Sequence, residues 1–192
     1  MSNQVELGNT SNEKRNIRES TFRIARMGLL AALSLVFVVY TTFPIFPAAP
    51  HLKFEISDTP IIIAGFIYGP VYGLIITAVV CLIQALTVGA DGGIIGFIMH
   101  FIASGTLVTV SAILYQKMHT KKGAIIALIV GCLSMTVIAI PTNIIMTLIS
   151  KWDLSTLLKL LLPVYIPFNL IKSGANSLIV ILIYKQVRKV FK

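Results

Sequence analysis

The chain has 192 residues, of which 56% are hydrophobic and only 12% are charged. A soluble domain of this size cannot hide so much apolar surface in one core, so the surplus must face lipid. The formal net charge of +9 does not indicate a nucleic-acid partner, because the basic residues gather at segment ends without a stripe of interleaved aromatic residues. The composition therefore predicts an all-α integral membrane protein that does not bind nucleic acid.

Residues 1–21 are polar, mixed in charge and poor in aromatic side chains, which is typical of a disordered cytoplasmic tail. The apolar run that follows also resembles a signal peptide, since arginines precede it and the small residues Ala48 and Ala49 come after it. The run is too long for a signal peptide and more apolar segments follow it, so we interpret it as the first span. The sequence thus predicts a tail of residues 1–21 and a single transmembrane domain of residues 22–192.

Four apolar runs exceed the length of about 20 residues that a membrane crossing needs. They lie near 22–43, 93–115, 123–149 and 160–184. A further apolar stretch, residues 59–88, is interrupted in its middle by Gly69-Pro70, which is a turn signal. We interpret this stretch as a tight helical hairpin, which gives six transmembrane helices.

The distribution of basic residues supports the hairpin. With six spans, the tail, the loop that contains Lys117, Lys121 and Lys122, and the C-terminal basic cluster all lie inside, as the positive-inside rule requires. With five spans, the last two groups would lie outside. The sequence therefore predicts a multi-pass protein of the cell membrane with both termini in the cytoplasm. Four acidic residues fall on the outer side: Glu55, Asp58, Asp91 and Asp153.

The connection 41–60 is the longest loop on the predicted outer side. Its four prolines prevent a continuous helix, while Phe46, Leu52 and Phe54 give it apolar faces. Such a loop either folds over a pocket as a lid or is an ordinary surface connection. Its end, Ser57-Asp58-Thr59-Pro60, is typical of a helix start, with Asp58 as a possible cap.

The last apolar segment carries a polar face. Asn169, Lys172 and Asn176 follow a spacing of i, i+3 and i+7, which places them on one side of a helix. A lone lysine costs about 2.5 kcal/mol or more at the bilayer centre, so Lys172 needs a partner, water or a ligand. The pattern predicts a binding site within the membrane, with snorkelling or a structural ion pair as the alternatives.

Two other polar residues lie in apolar segments. Asn143 follows Pro141 near the outer end of the fifth span, where it either meets Asn169 across the bundle or makes a structural hydrogen bond between helices. His100, which follows Gly96 in the fourth span, either faces the same cavity or packs between helices without a ligand role. The sequence shows no partner for His100 that would complete an intramembrane catalytic site.

Other features indicate packing and anchoring. Cys81 and Cys132 stand alone in apolar runs without disulfide or zinc-site spacing, so no metal site is predicted. Trp152 is typical of an interfacial anchor.

No Walker A sequence, dinucleotide fingerprint or nucleophile elbow occurs, so no ATP hydrolysis or covalent catalysis is expected. Gly28 and Ala32 in the first span form a small-xxx-small pair, which allows close approach of another helix, internal or from a partner.

Three fragments carry a family resemblance: LKFEISDTP at 52–60, GFIYGP at 65–70 and PFNLIK at 167–172. Together they resemble the substrate-binding S component of energy-coupling factor (ECF) vitamin transporters, most closely its riboflavin-specific members. The resemblance covers roughly residues 22–188. Glu55 stands where we expect aspartate more often, a conservative departure that could alter loop contacts.

The resemblance implies a six-helix fold whose first outer loop closes over a vitamin pocket. It implies riboflavin as the transported ligand, no cofactor, and partners comprising a scaffold transmembrane subunit and two ABC ATPases that drive release inside. The predicted substrate-binding residues are Phe46, Leu52, Phe54, Glu55, Gly96, His100, Asn143, Asn169, Lys172 and Asn176. The predicted partner-binding residues are Ala25, Gly28 and Ala32.

Other functions remain open from the sequence. An S component for pantothenate, biotin, folate or thiamine would keep the family and change the vitamin. Lys172 disfavours thiamine, which is cationic, and favours the anionic vitamins. A small channel or structural membrane subunit would bind no ligand tightly.

Overall fold

The computed structural model describes the backbone of residues 2–88 and 92–190, and the side chains of 15–88, 92–183 and Gln186. The described part is a helical bundle. Its helices are α1 (Ser2–Thr41), α2 (Asp58–Tyr68), α3 (Pro70–Leu86), α4 (Gly93–Met118), α5 (Lys121–Ile149), α6 (Leu154–Leu160) and α7 (Ile166–Val190), and a π-helical turn, Leu161–Tyr165, joins α6 to α7.

Four helical stretches are long and apolar enough to cross a membrane. They are Arg15–Thr41, Gly93–Met118, Lys121–Ile149 and Leu154–Ile183. The four long apolar runs of the sequence are therefore confirmed as long helices. The stretch 59–88 forms two shorter apolar helices, α2 and α3.

The backbone of α1 is helical over residues 2–21, where the sequence indicated a disordered tail. No proline interrupts residues 2–41, and Arg15 pairs with Glu19 one turn later, with Nε and Oε1 3.3 Å apart. The helical propensity of these residues therefore extends α1 towards the N-terminus, although an exposed ion pair such as Arg15–Glu19 contributes little to helix stability. The division of the chain at residue 21 stays a prediction.

The predicted break at Gly69-Pro70 is confirmed. Gly69 has a φ of 102°, a left-handed conformation that glycine adopts without strain, and Pro70 is the first residue of α3. The two short helices then cross closely, since a Cβ on Gly73 would lie 3.0 Å from the Cα of Gly65. The hairpin is tight because glycine occupies both sides of this crossing.

The loop between α1 and α2, residues 42–57, folds back on itself. Phe43–Pro44 pairs antiparallel with Lys53–Phe54, and the rings of Phe43 and Phe54 are 5.4 Å apart. The loop packs its apolar side chains against the region around the π-helical turn. This apolar cluster contains Ala49, Leu52, Leu157, Val164, Tyr165 and Phe168, with Phe46 and Phe54 at its edge.

Prolines explain the irregular start of the last span. Pro163 lies within the π-helical turn and Pro167 in the first turn of α7. Because neither has an N–H group, two bonds of a regular helix are missing and the backbone widens there. The widened turn comes directly before the polar face of α7.

Candidate functional site

A cavity of about 650 Å³ lies between the 42–57 loop and helices α3, α4, α5 and α7. This volume is in the range of small-molecule binding sites, about 300–1,000 Å³. Its wall is mostly apolar with a few polar groups. The polar side chains on the wall include Glu55, Gln84, His100, Thr142, Asn143, Asn169 and Lys172, and the apolar ones include Leu52, Ile95, Phe97, Met99, Met135, Met146 and Phe168.

The polar face of α7 is buried, as its spacing predicted. Asn169 and Lys172 line the cavity and are each 6% exposed. Asn176 is fully buried and does not line the cavity; its Nδ2 donates to the backbone oxygen of Glu55 at 2.9 Å, and its Oδ1 accepts from Thr59 Oγ1 at 2.9 Å. Of the three predicted ligand-binding residues on this face, two face the cavity and Asn176 fixes the loop.

Lys172 has its counter-ion in the 42–57 loop. Its Nζ donates to Oε1 of Glu55 at 3.1 Å, and Glu55 is 1% exposed. The second carboxylate oxygen of Glu55 accepts from Gln84 Nε2 at 2.7 Å. Thr42 Oγ1 lies 3.3 Å from the same oxygen, but its single O–H donates to the nearer backbone oxygen of Val38. An additional donor such as Gln84 is what a buried ion pair requires to offset its desolvation. The pair therefore joins α7 to the loop while Lys172 still borders the cavity.

His100 lies within the same group of charges. Its Nε2 is 3.2 Å from Oε1 of Glu55, 3.3 Å from Nζ of Lys172 and 3.8 Å from Oδ1 of Asp58. The interpretation of His100 as a residue without a partner was wrong, because its neighbours come from segments far away in sequence.

Asp58 begins α2, as the sequence predicted, but it does not act as a cap. Ser57 is the N-cap residue and makes no capping hydrogen bond through its side chain. The carboxylate of Asp58 is fully buried and faces His100. Its burial places a second acidic group beside the cavity.

The sequence left two alternatives for Asn143, a contact with Asn169 or a structural hydrogen bond between helices, and the structure shows neither of these hydrogen bonds among the described residues. Asn143 Nδ2 donates to the backbone oxygen of Ala139 at 2.7 Å, and Asn169 Nδ2 donates to that of Tyr165 at 2.8 Å. Each amide is thus oriented by its own helix. In the described part of the chain, the oxygen and second N–H of each amide have no other hydrogen bond, so they can meet a ligand.

Of the four loop residues predicted to bind substrate, two, Leu52 and Glu55, line the cavity. Phe46 and Phe54 pack behind it in the apolar cluster under the loop. His51, which the sequence did not single out, also lines the cavity. Its Nε2 is 2.8 Å from the hydroxyl of Tyr165.

Trp152 belongs to the wall as well, next to His51. The two rings meet edge to face at 5.5 Å, and Trp152 is 63% exposed. This position is compatible with the predicted interfacial anchor.

Comparison with known proteins identifies the family. The family model of the substrate-specific component of ECF transporters matches residues 22–184. The chain belongs to this family. It is therefore a membrane protein that captures substrate for a transporter.

Relatives and a solved structure agree with this assignment. The riboflavin transporter FmnP of Bacillus subtilis is 28% identical to this S component over 176 residues, which cover 86% of this chain and 92% of FmnP. The riboflavin transporter RibU of Streptococcus thermophilus is 28% identical over 180 residues, covering 89% and 85%. A solved S component of a bacterial ECF transporter is similar with a TM-score of 0.78 at 26% identity, covering 90% of this chain and 99% of that one.

The predicted partner-binding residues of the S component lie on the surface of α1. Ala25, Gly28 and Ala32 are exposed, and a Cβ added to Gly28 would have no atom of the described residues within 4 Å. The small-residue pattern is thus not explained by packing inside this chain. Ala31 is partly buried and packs against the core.

The two cysteines are free thiols. Cys81 is buried and lines the cavity, and Cys132 Sγ is 3.2 Å from Ser177 Oγ.

Gln84 is a site residue that sequence reasoning missed. As a lone amide within the apolar helix α3, it carried the same signal that drew attention to Asn169.

Some residues of the topology argument lie outside the described part. Asp91 lies between the two described ranges, and the side chains of Lys14, Lys185, Arg188 and Lys189 and all of Lys192 are not described. The orientation of the termini stays a prediction.

Proposed function

We propose that this S component binds riboflavin with high affinity on the outer side of the cell membrane and delivers it inward as a subunit of an ECF importer. The observation that carries the proposal is the cavity on whose wall Lys172, Asn169 and Asn143 lie among mostly apolar side chains. The names of FmnP and RibU, which are both riboflavin transporters, support the same ligand.

Riboflavin fits the chemistry of this wall. It has a flat aromatic ring system, a uracil-like edge of hydrogen-bond donors and acceptors and a polyhydroxyl chain, without net charge. Leu52, Phe168 and the methionines offer apolar contact to the ring, while Asn143, Asn169 and Lys172 offer hydrogen bonds to polar atoms. Riboflavin is the cargo in this proposal, and no cofactor or metal is required.

The Glu55–Lys172 pair favours an uncharged vitamin. Because the carboxylate at 3.1 Å already compensates the ammonium group, an anionic ligand would gain little from Lys172 and would bring its own desolvation cost. The pair thereby weakens the argument for pantothenate, biotin or folate. The same compensation reduces the repulsion between Lys172 and cationic thiamine, so the argument against thiamine rests on the relatives FmnP and RibU, which are both riboflavin transporters.

The proposal includes a six-span topology with a lid. The spans are α1, α2, α3, α4, α5 and the unit of α6 and α7, and both termini lie in the cytoplasm. The 42–57 loop is the lid, because it supplies His51, Leu52 and Glu55 to the cavity wall. Closure of this loop over riboflavin would explain capture from outside.

Release inside requires partners in this proposal. Ala25, Gly28 and Ala32 form an exposed small-residue surface on which a scaffold subunit can pack closely. Two ABC ATPases would supply the energy, since the sequence has no Walker A motif. The ATPases must favour a state of the S component with lower riboflavin affinity, because only differential binding can drive release.

A flavin fluorescence titration of the purified protein tests the proposal. We expect saturable quenching at or below micromolar riboflavin, and no competition by thiamine, biotin, folate or pantothenate. No saturable response to riboflavin would remove the proposal. Saturable binding of another vitamin in the same titration series would keep the family and replace the ligand.

A further inference from the structure

Asp58 is a buried charge to which the proposed function gives no role. It is fully buried, and neither carboxylate oxygen has a hydrogen-bond partner in the described part of the chain. The imidazole Nε2 of His100 lies 3.8 Å from its Oδ1. A carboxylate in such a place needs a compensating positive charge.

The charges around Asp58 can be counted element by element. The loop contributes Glu55, α2 contributes Asp58, α4 contributes His100 and α7 contributes Lys172. Other titratable groups on the same wall are His51 and Lys53 of the loop, Cys81 of α3 and Tyr165 of the π-helical turn, and the residues of α5 on the wall are not titratable. With a neutral imidazole, the four-residue cluster Glu55–Asp58–His100–Lys172 has one negative charge in excess. With an imidazolium ion, its charge is balanced.

The contacts of His100 allow two protonation states. A neutral Nε2 could accept a hydrogen bond from Lys172 Nζ at 3.3 Å, whereas a protonated Nε2 faces oxygens of Glu55 at 3.2 Å and Asp58 at 3.8 Å. With both carboxylates ionised, the neutral imidazole gains one hydrogen bond but leaves a net charge buried. A protonated Asp58 would also remove that charge, but neither of its oxygens has a hydrogen-bond partner in the described part of the chain, so its O–H would stay unsatisfied. Because an uncompensated buried charge costs more than one hydrogen bond contributes, the protonated state of His100 is favoured.

We infer that His100 is an imidazolium ion at neutral pH, held by Asp58 and Glu55, and that His100 and Lys172 together present two cationic hydrogen-bond donors to the cavity. Two donors of this kind favour a neutral heteroaromatic ligand whose ring edge carries several hydrogen-bond acceptors, such as carbonyl oxygens and ring nitrogens. Asp58 is then a positioning residue, since it does not line the cavity and acts through His100. The ligand part of this inference rests on the proposed function.

¹⁵N NMR of the histidine-labelled protein without ligand tests the protonation state directly. The chain has three histidines, so the variants His51→Gln and His119→Gln identify the His100 signals. We expect both ring nitrogens of His100 to show imidazolium shifts at neutral pH, and the Asp58→Asn variant to show neutral imidazole shifts. Neutral shifts in the unmodified protein would overturn the inference.

Riboflavin titrations test the coupling to the ligand. We expect Asp58→Asn to weaken binding about tenfold, the effect of losing one charge-assisted hydrogen bond, and Asp153→Asn to leave binding unchanged. In a His100→Gln background, Asp58→Asn should weaken binding no further, because Asp58 acts only through His100. Equal weakening in both backgrounds would contradict the assigned role of Asp58.

The failure of the inference can be separated from the failure of the proposed function. If the unmodified protein does not bind riboflavin, the proposed ligand is wrong, while the NMR measurement contains no riboflavin and still decides the state of His100. If riboflavin binds and His100 is neutral, the inference alone is wrong.

Discussion

At the scale of single residues, Lys172 has two roles that a mutation must separate. It lines the cavity, and it neutralises Glu55, which is 1% exposed. Removal of one member of a buried ion pair costs about 3–5 kcal/mol, because the remaining charge stays buried. A loss of binding in a Lys172 variant therefore has to be measured beside stability.

We expect Lys172→Ala to lower both the thermal stability and the riboflavin affinity, the latter about tenfold or more. The double variant Glu55→Gln with Lys172→Met leaves no unpaired charge on these two residues. It should recover most of the stability and remain weak in riboflavin binding. Thermal unfolding and fluorescence titration of the same preparations provide both readouts.

Lys159→Ala is the matched control, since Lys159 is an exposed lysine in α6. If Lys172→Ala bound riboflavin as tightly as the control, Lys172 would be a structural partner of Glu55 and nothing more.

Lys172 could be predicted from sequence and its neighbours could not. A lysine and two asparagines in an apolar helix stand out because each is costly in lipid. Glu55 and His100, in contrast, meet Lys172 from 117 and 72 residues away along the chain. Only the packing of the helices shows that these charges form one group.

At the scale of structural elements, the 42–57 loop is held at two places. The carboxylate of Glu55 pairs with Lys172 of α7, and Nε2 of His51 lies 2.8 Å from the hydroxyl of Tyr165. We expect Tyr165→Phe to accelerate riboflavin dissociation about fivefold, because one hydrogen bond of about 1 kcal/mol between loop and helix is lost. Stopped-flow dissociation kinetics measure this change.

Tyr40→Phe is the control for that experiment, since Tyr40 is 82% exposed on α1. An unchanged dissociation rate in Tyr165→Phe would show that the loop does not hold riboflavin in the cavity through this contact.

The hairpin of α2 and α3 depends on two glycines. A Cβ on Gly73 would lie 2.6 Å from Val108 Cγ1 and 3.0 Å from the Cα of Gly65. We expect Gly73→Ala to destabilise the protein by about 1–3 kcal/mol, as overpacking of a close contact does. Gly174→Ala, where a Cβ meets nothing within 4 Å, should not destabilise it. Equal thermal unfolding of both variants would argue against the close crossing.

The elements were predictable where the sequence carries a local signal. The long apolar runs and the turn at Gly69-Pro70 have such signals, and their positions agree with the structure. The π-helical turn was not predicted, because Pro163 and Pro167 are equally compatible with a kink or a break. The short strand pair in the loop was missed, since two residues per strand give no periodicity.

At the scale of the whole molecule, the exposed small residues Ala25, Gly28 and Ala32 of α1 form a surface that the described part of the bundle leaves uncovered. We expect Gly28→Leu to prevent assembly with the scaffold subunit and to leave riboflavin binding by the isolated protein unchanged, because no described atom of the chain lies within 4 Å of the added Cβ. Copurification with the scaffold subunit and riboflavin titration measure the two effects.

Gly174→Leu is a matched glycine substitution on another helix, with nothing within 4 Å of its added Cβ, and it should assemble normally. Loss of riboflavin binding in Gly28→Leu would place Gly28 in the internal packing of the bundle instead.

The family could be recognised from three short fragments, because their combination in one chain resembles the family. The family match to residues 22–184 agrees. The arrangement of the cavity could not be recognised in the same way. It depends on which faces of five segments meet, and apolar helices in lipid have no strong periodic pattern that fixes those faces.

The small molecule that copurifies with the protein tests the central claim most directly. Protein purified from cells supplied with riboflavin should release riboflavin on denaturation, identified by its absorption spectrum and mass, and the Glu55→Gln, Lys172→Met double variant should release much less. Release of a different vitamin, or of no flavin from a stable and folded preparation, would contradict riboflavin binding at the Lys172 cavity.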